Sequence, residues 1–350
     1  MDESSKDVLF SIAMKLDPPD LLKWCSSSSR INRYVNNDNV WRSKLLIDYP
    51  DYCRFNLNKS LRETYEFLYQ LALVKELLDT DKTLYDIFFK KRICFLWENK
   101  AVKWPTFNLP NLQDFTLCST VFTEVPSFNL PNLRFLVLCS KLTEVPSFHF
   151  PNLQYLNLSD NELTEVPAFN LPNLEILNLD SNRLRKVPSF NLPNLQLLSL
   201  SDNKLTEVPA FNLHNLLELS LSFNKLREIP AFNLPNLRNL YLLKNKLATI
   251  PSFDLPNLIH LDLASNKLTE VPKFNLISLQ LLYLNNNNLT EIPSFDLPNL
   301  RSLGLSQNKL TKIPALRLPM LEKLTLYRNP LTEVPEFNLP NLQVLFSEEI

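Results

Sequence analysis

A leucine recurs every 21 residues along most of this chain. Aligned on the Leu of each Pro-Asn-Leu or its variant, the positions are Leu112, Leu133, Leu153, Leu174, Leu195, Leu216, Leu237, Leu258, Leu279, Leu300, Leu321 and Leu342. The step is 21 throughout, except for 20 between Leu133 and Leu153, a one-residue deletion. Eleven whole repeats result, preceded by WPTFNLPN and trailing off in LQVLFSEEI. A strict period of this length implies stacked units, because so short a unit cannot bury a core alone.

The unit starting at Leu153 reads LQYLNLSDNELTEVPAFNLPN. Its L-x-x-L-x-L alternates apolar and other residues, which predicts a short strand with one face buried. Strands repeated at a fixed step stack as a parallel sheet, and twelve of them span roughly 55 Å at the usual strand spacing. An Asn column runs from Asn161 through Asn182, Asn203, Asn224, Asn245, Asn266, Asn287 and Asn308 to Asn329. A buried amide there can both donate to and accept from the backbone of the turn.

A second column fills the return segment: Phe128, Phe148, Phe169, Phe190, Phe211, Phe232, Phe253, Phe274 and Phe295, then Leu316, then Phe337. These rings predict a stacked spine at the back of the coil. Val-Pro, Ile-Pro and Leu-Pro pairs hold that segment extended and exclude a helix. The Leu, Phe, Pro and ladder-Asn columns all read as core. The first two repeats lack the ladder Asn: Thr120 holds the position in one and the deletion removes it from the other, so the coil is expected to tighten or distort there. No polar capping unit follows Leu345 and Phe346, which leaves a sheet edge for the acidic tail or another chain to cover.

The unit L-x-x-L-x-L-x-x-N-x-L, followed by T-E-V-P-x-F-x-L-P-N, resembles the shortest class of leucine-rich repeats over residues 104–350. The resemblance implies an α/β solenoid: a horseshoe of short parallel strands with an irregular, polyproline-like convex side. The segment before it adds a small all-α N-terminal domain.

Composition narrows the chemistry. The chain has one glycine, Gly304, among 350 residues. Phosphate-cradling loops and dinucleotide fingerprints need several, so both are excluded. Net charge is −1, and neither the first 110 residues nor the remainder departs from neutrality by more than three charges. That is not the footprint of a nucleic-acid binder. No apolar run is long enough to span a membrane, and MDESSKD does not open like a secretory signal. The five cysteines, Cys25, Cys53, Cys94, Cys118 and Cys139, are odd in number and include no C-x-x-C. They read as reduced thiols of a cytoplasmic or nuclear protein. Cys118 and Cys139, one repeat apart, read as stacked neighbours. His149, His214 and His260 fit no metal or triad pattern, and no cofactor and no enzyme activity are expected.

Residues 1–103 lack the period. DVLFSIAMKL spaces Leu9, Ile12, Ala13 and Leu16 as a helix, and Pro18 and Pro19 end it, with Asp17 or Asp20 able to cap the next. SSRINRYVNNDNVWR predicts a short helix and turn, with Ile31, Tyr34 and Val35 on one side. LRETYEFLYQLALVKELL and TLYDIFFKKRICFLW predict two more helices. Residues 7–42 resemble the F-box, through Asp-Leu-Leu after the break, the Cys-Ser-x-x-x-Arg run and the closing Val-Trp-Arg. The likeness is greatest to F-box proteins of amoeba-infecting giant DNA viruses, although Lys6-Asp7 stands where the family opens with Leu-Pro. It implies a docking module, residues 1–50, for the Skp adaptor and cullin scaffold of a ubiquitin ligase. Leu9, Ile12, Leu21, Leu22 and Trp41 would pack that module or touch the adaptor. Residues 51–103 would be a helical linker and cap. The other reading is that all these helices only cap the repeats.

Function is then expected on the concave face. The outward positions of successive strands include Phe135, Tyr155, Ile176 and Leu197 as four apolar neighbours, with His260 and Leu281 further along. Val137, Tyr241 and Tyr283 join them two residues on, then Leu243 and Tyr327. Contiguous exposed apolar area among polar residues marks a protein partner site. A ligase substrate receptor and a plain recognition scaffold both fit.

Overall fold

The computed structural model of the protein describes residues 3–27, 31, 38–55, 57, 59–77, 82–88, 90–97, 106–119, 123–332 and 339–346. The chain divides into two compact units. The first holds Met1–Ile93, Val102–Gln113 and Pro126–Pro131; the second holds the remainder.

In the first unit, α1 (Glu3–Lys15) is followed by α2 (Pro18–Ser26). Asp17 is the N-cap of α2, its carboxylate accepting the Asp20 N–H at 3.0 Å, while Pro18 takes the first helical position, where no N–H is needed. Of the short helix and turn expected over residues 28–42, residues 28–30 and 32–37 lie outside the described residues, Tyr34 and Val35 included. Next come α3 (Asp38–Asp48), a 3₁₀ turn (Tyr52–Phe55), α4 (Leu61–Leu77) and α5 (Leu84–Phe88). Reciprocal caps start the last two helices. Ser60 and Glu63 exchange side chain-to-backbone bonds of 2.9 and 3.3 Å, and Thr83 and Asp86 do the same at 3.1 and 3.2 Å.

The helical core centres on Trp41, wholly buried against Tyr65 with ring centroids 5.4 Å apart. The Tyr65 hydroxyl donates to Asp48 Oδ2 at 2.6 Å, and the buried Lys44 ammonium reaches the same oxygen at 3.0 Å. Lys44 also donates to the Met14 carbonyl, so no charge in this cluster is left unpaired.

The helix expected over TLYDIFFKKRICFLW does not persist. It stops at Phe88, and Arg92–Trp97 is a strand, β1. Ile, Phe and Trp suit a strand as well as a helix, and here pairing with a neighbouring strand overrides local preference. The first two return segments, β2 (Phe107–Asn108) and β4 (Phe128–Asn129), pair in parallel as a separate two-stranded sheet.

The repeat unit carries one strand per repeat: β3 (Asp114–Ser119), β5 (Phe135–Cys139), β6 (Tyr155–Asn157), β7 (Ile176–Asn178), β8 (Leu197–Ser199), β9 (Glu218–Ser220), β10 (Asn239–Tyr241), β11 (His260–Asp262), β12 (Leu281–Tyr283), β13 (Ser302–Gly304), β14 (Lys323–Thr325) and β15 (Val344–Phe346). With β1 they form one sheet in chain order, and every register given from β3 to β15 is parallel and offset by one repeat. The leucines of the alternating pattern are buried from Leu112 to Leu326, with Leu342 of the last coil half-buried, and each fully buried one contributes about 1.5–3 kcal/mol. The return segments contain no helix among the described residues, as the prolines require.

The Asn column forms the expected ladder. Asn203 is typical: its Nδ2 donates to the carbonyls of Leu179 in the preceding coil and Leu200 in its own, and its Oδ1 accepts the Leu184 N–H at 3.0 Å. The residue before each ladder Asn has positive φ, from Asp160 to Arg328, nine non-glycine residues in all. The phenylalanine spine stacks nearly parallel, with rings 6.1–6.3 Å apart from Phe148 to Phe232 and 6–12° between planes. Phe128 is only half-buried, and Phe337 lies outside the described residues. Most of the prolines are not core: Pro172 and Pro193 are exposed and Pro188 and Pro209 half-buried, because their work is to hold φ and not to fill space, whereas Pro126 is buried.

The first two repeats depart from the regular coil, as expected. Their strands run longer, six residues in β3 and five in β5 against three from β6 onward. Thr120 lies outside the described residues. At the deletion, Asn161 of the next coil serves the shortened one: its Oδ1 accepts from Ser140 N–H (2.9 Å) and Leu142 N–H (3.1 Å), and its Nδ2 donates to the Leu138 carbonyl. β15 is the last strand of the sheet, and residues 347–350 lie outside the described residues.

Candidate partner-binding face

The alternation places one row of side chains on the solvent side of the sheet. In strands β6, β7, β9, β10, β11 and β12 the central Leu is buried and its two neighbours are half-exposed. Phe135, Tyr155, Ile176 and Leu197 are consecutive register partners, so the four apolar neighbours do form one continuous strip. Phe135 is the most exposed of them at 44%, and its ring lies 5.9 Å from that of Tyr155. Val137 is half-buried beside the strip. Below it, Asn157, Asn178, Ser199 and Ser220 make a polar row. Asp180 closes that row, accepting from Ser199 Oγ–H and Ser201 N–H, both at 2.6 Å. Burial pushes the Asp180 carboxyl above its ordinary pKa despite those bonds.

Farther along, the face changes character. Tyr241, Asp262 and Tyr283 are successive register partners, and His260 stands edge-on to both tyrosines, its ring 4.9 Å from one and 5.4 Å from the other. Burial lowers the His260 pKa and raises those of Asp262 and Tyr241, while the carboxylates of Asp262 and Glu218 partly offset the effect on the imidazole. Leu281 is half-buried beside this group, and Tyr327 is exposed at the last coils. Leu243 is half-buried.

Gly304 explains itself here. A Cβ at this position would meet the Asn285 amide at 2.4–3.0 Å. Its absence lets Asn285 lie across the strand and accept from Ser306 N–H at 3.0 Å and Thr325 Oγ1–H at 3.3 Å. Periodicity shows only an outward glycine; the amide that needs the space belongs to the adjacent coil.

A second Asn column, in the Pro-Asn-Leu corners, went unread in the sequence. Asn173, Asn194 and Asn215 are exposed, and each donates to the carbonyl of the Pro one coil earlier at 2.8 Å. The bond survives where His214 or Ile277 replaces Pro, since the acceptor is backbone. These amides, with Gln154, Glu175 and Gln196, line a polar trough of about 670 Å³ across the N-terminal ends of successive strands. Cys118 and Cys139 are register partners, and burial followed by the neighbouring Cys118 pushes the Cys139 thiol up to about 12. No group of three metal-ligating side chains occurs among the described residues, and no described helix is long and apolar enough to cross a membrane.

In the helical unit, Leu21 and Trp41 are wholly buried, Leu9 and Leu22 half-buried, and Ile12 exposed. Leu46 and Ile47, which the sequence reading passed over, are more exposed still, at 54% and 61%.

Comparison with known proteins agrees with this architecture. Residues 151–192, 193–234 and 277–318 match the family model of leucine-rich repeats in two copies, so the chain carries leucine-rich repeats. Among solved structures, YopM from Yersinia enterocolitica aligns at 26% identity and a TM-score of 0.57, over 71% of this chain and 62% of its own. A leucine-rich-repeat protein of Leptospira interrogans aligns at 29% identity and 0.54, over 67% and 72%. InlP of Listeria monocytogenes aligns at 26% and 0.50, over 62% and 69%. The chain thus spans less than two thirds of YopM. No curated protein sequence matches it significantly.

Proposed function

We propose that the protein is a non-catalytic recognition module that holds a protein partner on the solvent face of its repeat sheet. The in-register strip from Phe135 to Leu197 carries this reading: apolar area that a stable monomeric surface has no reason to keep contiguous. Rigid strands present it without the ordering cost a loop would pay. The test is a photo-crosslinking amino acid at Ile176 or, as control, at Glu207 on the return side. Discrete protein adducts at Ile176 alone are expected; identical adduct patterns at both sites would sink the idea.

A second reading has its own observation. Ile12, Leu46 and Ile47 expose apolar side chains on the helical unit, as a free docking module must. On the F-box resemblance, that surface would engage the Skp adaptor and cullin scaffold, and the sheet face would raise a target's effective concentration near the ligase. Leu21 and Trp41 are unsuitable probes, since substituting them tests folding. Leu46→Asp with Ile47→Asp is the informative variant: adaptor co-purifying with wild type and lost with this pair supports the receptor role, whereas no adaptor with wild type removes it. A reducing intracellular compartment suits the five free thiols under either reading.

A further inference from the structure

The sheet face is apolar and uncharged at one end and carries carboxylates among aromatic rings farther along, and the second region defines the kind of partner. Asp262 sits between Tyr241 and Tyr283 in register, so one phenol flanks the carboxylate on each side. His260 closes one end of the niche edge-on, and its Nε2 is buried without a hydrogen-bond partner. Ala264 follows on the other side and contributes only a methyl group. Its N–H is the hydrogen-bond donor to Asp262, reaching Oδ1 at 3.0 Å. Neither Asp262 nor Glu218 is ion-paired among the described residues; Glu218 accepts only from the Asn239 amide at 3.0 Å.

An aromatic ring two coils before Asp262 already meets a cation. Phe223 occupies a positive-φ turn, at 56°, where the other repeats place Asp, Ser, Asn, Gln, Lys or Arg. A bulky ring is disfavoured in that conformation, and here it is not repaid by burial, since Phe223 is 44% exposed. Its ring already carries a cation, the Lys244 ammonium, 4.6 Å from the centroid.

We propose that Tyr241, Asp262 and Tyr283 form a receptor for a basic side chain, arginine above lysine, of the protein held on the sheet face. The inference rests on the recognition reading and narrows it to a partner with a cationic anchor. A guanidinium would supply the missing countercharge and lie against phenol faces. An acidic group would be repelled by Asp262 and Glu218. An apolar group would bury a carboxylate with no counter-ion, which is costly as well.

The experiment uses phage-displayed random dodecapeptides selected on the full chain. Selected peptides are then measured against wild type, Asp262→Asn, Tyr241→Ala/Tyr283→Ala and Leu197→Asp. Asp262→Asn is isosteric and removes a desolvated charge, so its fold is expected intact by circular dichroism. The pool should be enriched in Arg and Lys, and binding should fall about tenfold or more with Asp262→Asn, an effect that high salt reproduces. Binders without basic enrichment, or binders that Leu197→Asp abolishes and Asp262→Asn leaves alone, overturn this inference but leave the recognition reading standing. Recovery of no binder sensitive to any of the three face variants overturns both.

Discussion

The first two coils and the nine after them are built from nearly the same residues, yet their strands end differently. Where a ladder Asn is present, the preceding residue turns to positive φ and the strand stops after three residues. Where it is missing, β3 and β5 run on to six and five residues, with no positive φ among the described residues there. The leucines are equally buried in both regions. The amide therefore goes with the turn: it takes carbonyls of its own and the preceding coil, while bonds between coils such as Ser181 N–H to the Ser201 carbonyl (3.0 Å) continue past the strand. Asn161 stands at the junction and serves both kinds of coil.

Four changes would break or sharpen this contrast. The largest effect is expected from the spine. Phe211→Ala removes a ring stacked on both sides and should cost about 3–5 kcal/mol in urea unfolding, while Phe128→Ala, half-buried in the first coils, should cost clearly less. Equal losses would mean the spine is as tight at the start as in the middle.

Next is the ladder. Asn203→Ala leaves the Leu179 and Leu200 carbonyls and the Leu184 N–H without this partner, for a loss of about 3 kcal/mol. Asn161→Ala should cost more, because two N–H groups of the shortened coil depend on it. Half-exposed Asn329 should cost least, since water can replace it. Any other rank order contradicts the role assigned to the amide.

Gly304→Ala should cost about 1–3 kcal/mol by driving the Asn285 amide off Ser306 N–H. If that clash is the cause, Asn285→Ala in the same chain will recover part of the loss. A purely additive double mutant would refute it.

The smallest effect is a pH slope. The His260 pKa is depressed in the folded protein relative to 6.5, chiefly by burial, so below pH 6.5 the unfolded chain binds the proton first. Stability should therefore fall as the pH drops below 6.5, and His260→Gln should flatten that slope in denaturant titrations. Asp180 and Asp262 act in the opposite sense: their raised pKa values mean that their ionisation costs stability as the pH rises above 3.8.

The amino-acid sequence alone determines the repeat, the inward Leu columns, the Phe spine, the ladder amides and the outward row, because a 21-residue period with alternating apolar positions admits one stacking register. It could not decide β1, where Ile93 and Trp97 suit a helix or a strand and pairing settles the matter. Nor could it show that Asn161 reaches back across the deletion, that Asn285 occupies the space above Gly304, or that His260 lies between two tyrosines from other coils. Each of these is a contact between residues about 20 apart, and only closure of the coil brings such residues together. Columns follow from the period; what neighbours in a column do to each other follows from side-chain shape and hydrogen-bond geometry across the stack.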